Sequence, residues 1–227
     1  MHDTWLKVPA GAERSAAEAK REERPPQLTR RFGMMSPMDL RVELNRIGNH
    51  RRSGEQDVAV LNTIGHTRLL PLQHIVPPES AKILIKLEYQ NPTGSMKDRM
   101  ALAMVEAAEA DGRLRPGGSV VQYTGGSTGV SLAFVCAAKR IPPQIVTSEA
   151  FSKEKRDHMT ALGARLTLVA SPTGGTTKAL TLEMIETARQ LAAAPGSYWT
   201  DQLNNTDQLA SYERMGEEIW EQAERVS

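Results

Sequence analysis

The sequence lacks most of the features that would place it in a secreted or membrane class. It has one cysteine in 227 residues, so no internal disulfide can form, and this favours a reducing compartment. It also lacks the run of about 18 to 20 apolar residues that a membrane-spanning helix requires. Its first residues, MHDTWLKVPAG, have no apolar centre of the kind found in secretory signals. We therefore expect a cytoplasmic protein with no membrane partner.

Charge of one sign is also scarce. The chain has 28 Lys and Arg against 27 Asp and Glu, a formal net charge of +1, so it has no general electrostatic attraction for nucleic acid. The expected partner is a small molecule or another protein. With 40% hydrophobic and 24% charged residues, the chain can bury a core. Cys136 lies in the apolar run GVSLAFVCAAK, which predicts a buried, inert thiol on a helix.

The chain divides by composition near residue 57. Residues 1–56 mix charges, small residues and a Pro-Pro pair with little hydrophobic periodicity, and we predict a mobile or disordered extension there. From residue 57 onward, short aliphatic runs alternate with helical patterns. The predicted strands are Lys82–Glu88, Ser119–Tyr123, Gln144–Thr147, Arg165–Ala170 and Ser197–Thr200. The predicted helices begin at or near Lys97, Ser127, Lys153, Thr176 and Thr206, and Ser152 is the expected N-cap of the third.

Strands that alternate with helices of this length predict an α/β fold, with a mostly parallel sheet covered by helices on both faces. Ligands of such sheets bind beyond the carboxyl ends of the strands, in the loops that lead into helices. Two such loops are rich in glycine and hydroxyl groups, QYTGGSTGVSLA at residues 122–133 and SPTGGTTKAL at residues 171–180. Either loop could cradle an anion or be a tight turn without a ligand. Neither fits the dinucleotide fingerprint of a Rossmann dehydrogenase.

A third feature is Lys97, which follows a turn of small residues in NPTGSMKDRMA, residues 91–101. A lysine attacks aldehydes only when burial partly deprotonates its ammonium group, and a turn at the start of a helix can hold it against a cofactor. An ordinary surface lysine in a first helical turn is the alternative reading.

Five segments in order resemble the cysteine synthase and cystathionine β-synthase family of pyridoxal-phosphate enzymes. They are NPTGSMKDRMA, the loop at residues 122–133, SEAFSKEKRDHMTALGARLTLV, YWTDQLNN and GEEIW. Together with TIGHTRLLPL, the resemblance extends from about Thr63 to Trp220. It implies the tryptophan synthase β-like fold, present here in its N-terminal part. In this reading residues 57–227 contain a small mobile domain, at about 98–203, and the first elements of the large domain.

The resemblance implies a role for each matched position. Lys97 would bind pyridoxal 5'-phosphate covalently and move a proton, and Ser127 would contact the cofactor. The substrate carboxylate would bind at Thr124, Gly125, Gly126, Thr128 and Gln202. No metal is implied.

Four positions depart from the family pattern. Gly125 stands where the family has Ser, and Ser127 stands where it has an Asn that binds the phenolic oxygen of the cofactor. His66 and Arg68 replace the usual Asn and Pro. In members of the family, the phosphate loop G-T-G-G-T follows the segment that corresponds to GEEIW. The TGGTT at residues 173–177 precedes the TDQ segment, so its order disfavours that role.

The implied function is β-replacement or β-elimination on an O-activated serine, as in cysteine formation from O-acetylserine and sulfide. A cystathionine β-synthase, a threonine dehydratase or an amino-acid lyase would use the same lysine and loop. A catalytically inactive fragment is the alternative from another class. The substrate would be a small amino acid, and the resemblance implies a homodimer.

Overall fold

The computed structural model of the protein describes residues 59–74, 76–77 and 79–226. The predicted extension at residues 1–56 lies outside these ranges. The described part begins with a 3-10 helix, Ala59–Thr63, and a two-stranded antiparallel sheet. Its strands are β1 (Leu69–Pro71) and β2 (Leu84–Lys86), and Leu70 lies opposite Ile85. The sequence predicted a longer strand at Lys82–Glu88 and none at Leu69–Pro71; a 3-10 helix at Glu88–Gln90 ends the strand early.

The main sheet has four parallel strands in the order β5-β4-β3-β6. They are β3 (Ser119–Tyr123), β4 (Pro143–Thr147), β5 (Arg165–Leu168) and β6 (Ser197–Trp199). The register pairs Tyr123 with Val146, and Val121 with Trp199. This confirms the prediction of a mostly parallel sheet.

Two predicted strands end earlier than the sequence pattern suggested. The strand β5 stops at Leu168 rather than Ala170 because Leu168 pairs with Thr147, the last residue of its neighbour. The strand β6 stops at Trp199 rather than Thr200. Its chain turns there, and the Asn205 side chain donates a hydrogen bond of 2.9 Å to the Thr200 carbonyl. In both cases one more backbone hydrogen bond follows the last paired residue, from the Val169 amide to Thr147 and from the Thr200 amide to Val121.

Within the described ranges, five α-helices cover the sheet and its edges. They are α1 (Lys97–Ala110), α2 (Ser127–Lys139), α3 (Lys153–Ala161), α4 (Lys178–Ala192) and α5 (Leu209–Val226), with a 3-10 helix at Thr206–Gln208 before the last. The side chain of Ser152 accepts a hydrogen bond from the Lys155 amide, which confirms the predicted N-cap of α3. In the described part of the chain, no helix combines the length and apolarity needed to cross a membrane.

The core has a layer on each face of the main sheet because alternate strand residues point to opposite sides. Val120 packs with α1 and α2, in a cluster that includes Val105, Leu132 and Cys136. Its neighbour Val121 faces α4, in a cluster with Leu180, Met184 and Ala188. Helices therefore cover both faces, as the sequence predicted. Burial raises the pKa of the Cys136 thiol to about 12, with a smaller contribution from Glu109, so this cysteine is the inert thiol that was expected.

Candidate active site

The strands β3, β4 and β6 are neighbours, so their carboxyl ends open onto one edge of the sheet. The segments that follow them begin at Thr124, Ser148 and Thr200. All three of these residues are buried. This edge is where parallel sheets place ligand-binding loops, and the predicted site residues between Thr124 and Gln202 lie on it.

The loop after β3 presents donors at the start of α2. Thr124 orders the turn, because its hydroxyl accepts a hydrogen bond of 2.9 Å from the Gly126 amide. The N-cap of α2 is Gly126, which supplies no side-chain cap, and the first turn holds no acidic residue. The positive end of this helix is therefore not compensated locally, and its free amide groups suit a carboxylate. Gly125 is exposed, so a ligand can approach the loop from solvent.

The structure brings two of the predicted carboxylate residues into direct contact. The Thr128 hydroxyl, in the first turn of α2, donates a hydrogen bond of 2.7 Å to the Gln202 side-chain oxygen. The Gln202 amide nitrogen donates in turn to the Tyr123 carbonyl, at 3.4 Å. A sharp turn aims Gln202 at the loop, since Asp201 has a left-handed backbone (φ 40°) and its carbonyl accepts from the Asn205 amide.

The turn that carries Lys97 is tied to the same helix. The Asp98 carboxylate, fully buried, accepts hydrogen bonds from the amide and hydroxyl of Thr93 and so closes the turn. The Thr93 hydroxyl also lies 3.2 Å from the Ser131 hydroxyl of α2. Ser131 is one helical turn beyond Ser127, so Ser127 is on the side of α2 that faces the Thr93–Asp98 turn. Within the described part of the chain, no group pairs with the Lys97 ammonium.

A network of buried charges fixes the first turn of α1. The Arg99 guanidinium forms hydrogen bonds with two carboxylates, Glu88 at 2.8 and 2.9 Å and Glu218 at 2.7 Å twice. Lys86 adds a second cation at 2.7 Å from Glu218. Burial alone would raise the pKa of Glu218, but the hydrogen bonds from Arg99 and Lys86 outweigh it and lower that pKa to about 2. This network holds α5 against the helix that begins with Lys97.

Two departures from the family pattern make main-chain hydrogen bonds, one of them to this network. His66 has a left-handed backbone (φ 50°), and its amide donates to Glu218 at 3.0 Å. The amide of Arg68 donates to the Gln90 side chain, also at 3.0 Å. These are main-chain contacts, so they do not explain the choice of either side chain.

A family model described as "Pyridoxal-phosphate dependent enzyme" matches residues 60–227. The chain belongs to this family. Cysteine synthase from Staphylococcus aureus (strain Mu50) is 46% identical over 109 residues, which are 48% of this chain and 35% of that protein. Cysteine synthase B from Salmonella typhimurium is 39% identical over 165 residues, 70% of this chain and 51% of that protein.

The solved structures show the same relationship. The cysteine synthase of Entamoeba histolytica superimposes with a TM-score of 0.64 at 32% identity, covering 73% of this chain and 49% of that one. The shared fold confirms the predicted α/β architecture. The chain thus spans about a third to a half of the length of these relatives.

The residues present fit the aldehyde end of pyridoxal phosphate, the cofactor of this family. Lys97 is an amine at the start of a helix, without a partner among the described residues, and it suits covalent attachment to an aldehyde. Ser127, which carries a hydroxyl, is the first residue of the adjacent helix.

The second glycine loop uses its own hydroxyls for local hydrogen bonds: Ser171 donates to the Gly175 carbonyl at 2.7 Å, and Thr177 caps α4. Moreover, this loop follows β5, the edge strand, and β4 separates it from the Thr124 loop.

Sequence reasoning missed two neighbours of the candidate site. The start of α3 packs on the two glycines of the Thr124 loop: the Phe151 ring lies beside Gly125, and the Lys155 stem lies across Gly126. Both residues were part of the segment that carried the resemblance, but no role was assigned to them. A Gly-Gly pair in a ligand loop was the available signal, because it lets another element approach closely.

The largest of the described cavities lies away from this site. A cavity of about 410 Å³ lies at the opposite edge of the sheet, near Pro116 and Ile141. Another, of about 270 Å³, lies between α1 and α5 and is lined by Leu102 and Glu221 among others. Neither of these two cavities includes Lys97, Thr128 or Gln202.

Proposed function

We propose that this chain carries the amino-acid half of a pyridoxal-phosphate site that performs β-replacement on an O-activated serine, as a cysteine synthase does. The observation that carries the proposal is that α2 contacts both Gln202 and the turn that holds Lys97. Its first turn contacts Gln202 through Thr128, and its second turn contacts the Lys97 turn through Ser131 and Thr93.

In this proposal the loop binds the substrate carboxylate. The amide groups at the start of α2 donate to it, and Thr124, Thr128 and Gln202 supply polar side chains around it. Binding the carboxylate there would set the amino acid on the side of α2 that faces the Thr93–Asp98 turn. The fixed Thr128–Gln202 contact means that these groups need little reorganisation when the substrate binds.

Lys97 has two tasks in this proposal. Its amine would hold the cofactor through the cofactor aldehyde and, once the amino group of the substrate has displaced it there, would remove the proton from the α-carbon of the amino acid. Pyridoxal phosphate, when bound, supplies the electron sink that stabilises negative charge at that carbon. The activated oxygen group leaves the β-carbon, and a sulfur nucleophile takes its place. Ser127 is the residue proposed to contact the cofactor ring. A homodimer and a cytoplasmic location belong to the same proposal.

The test is the absorption spectrum of the purified protein after incubation with pyridoxal phosphate and dialysis. We expect the longer-wavelength band of lysine-bound pyridoxal, and we expect Lys97→Ala to abolish it. Lys153→Ala is the matched control, since Lys153 also begins a helix but is exposed, and its ammonium pairs with Asp157. A band that survives in Lys97→Ala, or no band in the wild type, would refute the role of this chain in cofactor binding and favour an inactive fragment.

A further inference from the structure

An aromatic ring occupies the space beside Gly125. A Cβ atom built at Gly125 would lie 2.8 Å from Cε1 of Phe151, with two more ring atoms at 3.1 and 3.3 Å. Real Cβ atoms do not approach so closely, so residue 125 can carry no side chain while the ring stays in place. Gly125 is exposed and Phe151 is half-buried, so the ring is next to the point where a ligand would reach the loop.

The surrounding structure holds this ring. One side of Phe151 packs against the cluster that contains Val121, Tyr123 and Val146. Its backbone is fixed as well, because the Phe151 amide donates to the Ser148 carbonyl at 3.2 Å. The Arg156 guanidinium donates to the carbonyls of Ser148, Glu149 and Phe151. The packing and the fixed backbone together hold the ring beside Gly125.

A second apolar group lies on the same loop. The aliphatic stem of Lys155 covers Gly126, with its Cγ 3.4 Å from a Cβ built there. A ligand whose carboxylate binds the loop would thus meet the aromatic ring and the Lys155 stem on the Gly125–Gly126 side, beside the polar groups of Thr124, Thr128 and Gln202.

We infer that Phe151 determines the class of nucleophile that the site accepts, and that the amino acid formed there carries an apolar thioether side chain. The inference rests on the proposed function for the place of the carboxylate. It points to an alkyl thiol, rather than sulfide alone, as the nucleophile. In that reaction the C–O bond to the leaving group breaks, a C–S bond forms at the β-carbon and the thiol proton is released, so no oxidant is required.

The premise that the Phe151 ring fills the space beside Gly125 has its own test, which needs no ligand. Gly125→Ser places a Cβ against the ring, so we expect the unfolding equilibrium constant to rise at least about tenfold, as overpacking does. In a double-mutant cycle, Gly125→Ser should destabilise the Phe151→Ala protein much less than it destabilises the wild type. Gly175→Ser is the control in the other glycine loop, where a Cβ would meet only Thr173 Oγ1 at 3.9 Å. Additive effects of the two substitutions would overturn the premise.

The specificity is tested by titrating the ¹⁵N-labelled full chain with L-methionine and with L-serine, and following the amides of Gly125, Gly126 and Thr128. We expect L-methionine to bind roughly three- to tenfold more tightly, since each buried methylene contributes about 0.8 kcal/mol. The preference should disappear in Phe151→Ala and persist in Phe151→Leu, which keeps an apolar side chain. Equal affinities, no binding, or an unchanged preference in Phe151→Ala would overturn the inference.

The two proposals fail separately. A pyridoxal band at Lys97 without a preference for L-methionine leaves the proposed function standing and removes the role of Phe151. A preference for L-methionine without the band keeps the role of Phe151 and removes the cofactor role.

Discussion

The Arg99 guanidinium binds both oxygens of the Glu218 carboxylate, at 2.7 Å each, across 119 residues of sequence. Arg99 belongs to the helix that begins with Lys97, and Glu218 lies in the middle of α5. Their side chains are 5% and 16% exposed, so little water competes for the contact. The pair therefore couples the last described helix to the lysine that the proposed chemistry uses.

Glu218→Gln should destabilise the protein by about 2 to 4 kcal/mol, because it leaves two buried cations, Arg99 and Lys86, with one carboxylate fewer. Urea unfolding measures this difference as a change in midpoint at constant slope. Glu224→Gln, an exposed change on the same helix, should alter stability by less than about 0.5 kcal/mol. Equal effects of the two substitutions would contradict a stabilising role for the network.

The Glu218 carboxylate should also make the free energy of unfolding depend on pH. The folded-state pKa of Glu218 is about 2, below its usual 4.5, so its contribution is present above about pH 5 and lost as the pH falls toward 2. The stability difference between the wild type and Glu218→Gln should be constant from pH 6 to 8 and shrink steadily in acid. Chemical denaturation at a series of pH values checks this. A difference that stays constant down to about pH 3 would argue against the ion pair.

Gly129 and Gly216 make a matched pair of helical glycines. A Cβ at Gly129 would lie within 2.5 Å of Thr124 Cγ2, and it would also clash with the Met159 sulfur, whereas a Cβ at Gly216 meets nothing within 4 Å. We expect Gly129→Ala to cost about 2 to 3 kcal/mol through overpacking. Gly216→Ala should instead stabilise by about 0.5 to 1 kcal/mol through helix propensity. Thermal denaturation of both variants compares them directly, and a loss of stability in Gly216→Ala would show that α5 has a neighbour at that point.

Cys136 should be unreactive in the folded protein. Burial raises its pKa to about 12, so the thiolate that attacks disulfide reagents is almost absent at neutral pH. A chromogenic disulfide reagent should label the chain only as fast as it unfolds, and fully in denaturant. Since the chain has a single cysteine, the signal needs no correction. Rapid labelling under native conditions would mean that α2 opens locally.

Local sequence patterns anticipated the elements whose signals are short-range. The N-cap at Ser152, the central strand Ser119–Tyr123 and the apolar helix containing Cys136 all follow from periodicity and capping rules, which depend on a few adjacent residues. The strand at Leu69–Pro71 was missed for the opposite reason. Three residues carry too little pattern, and their pairing with Leu84–Lys86 depends on a segment thirteen residues away.

The candidate site divides in the same way. From the sequence by itself, the alternation of strands and helices predicted that ligand loops lie at the carboxyl ends of parallel strands, and the family resemblance assigned Lys97, Thr124, Thr128 and Gln202 to one site. Only the tertiary structure decided that Thr128 meets Gln202, that Arg99 binds Glu218 and that the Phe151 ring excludes a side chain at position 125. Those contacts join residues far apart in the chain. They depend on how α2, α3 and α5 pack, and no local pattern of residues encodes that geometry.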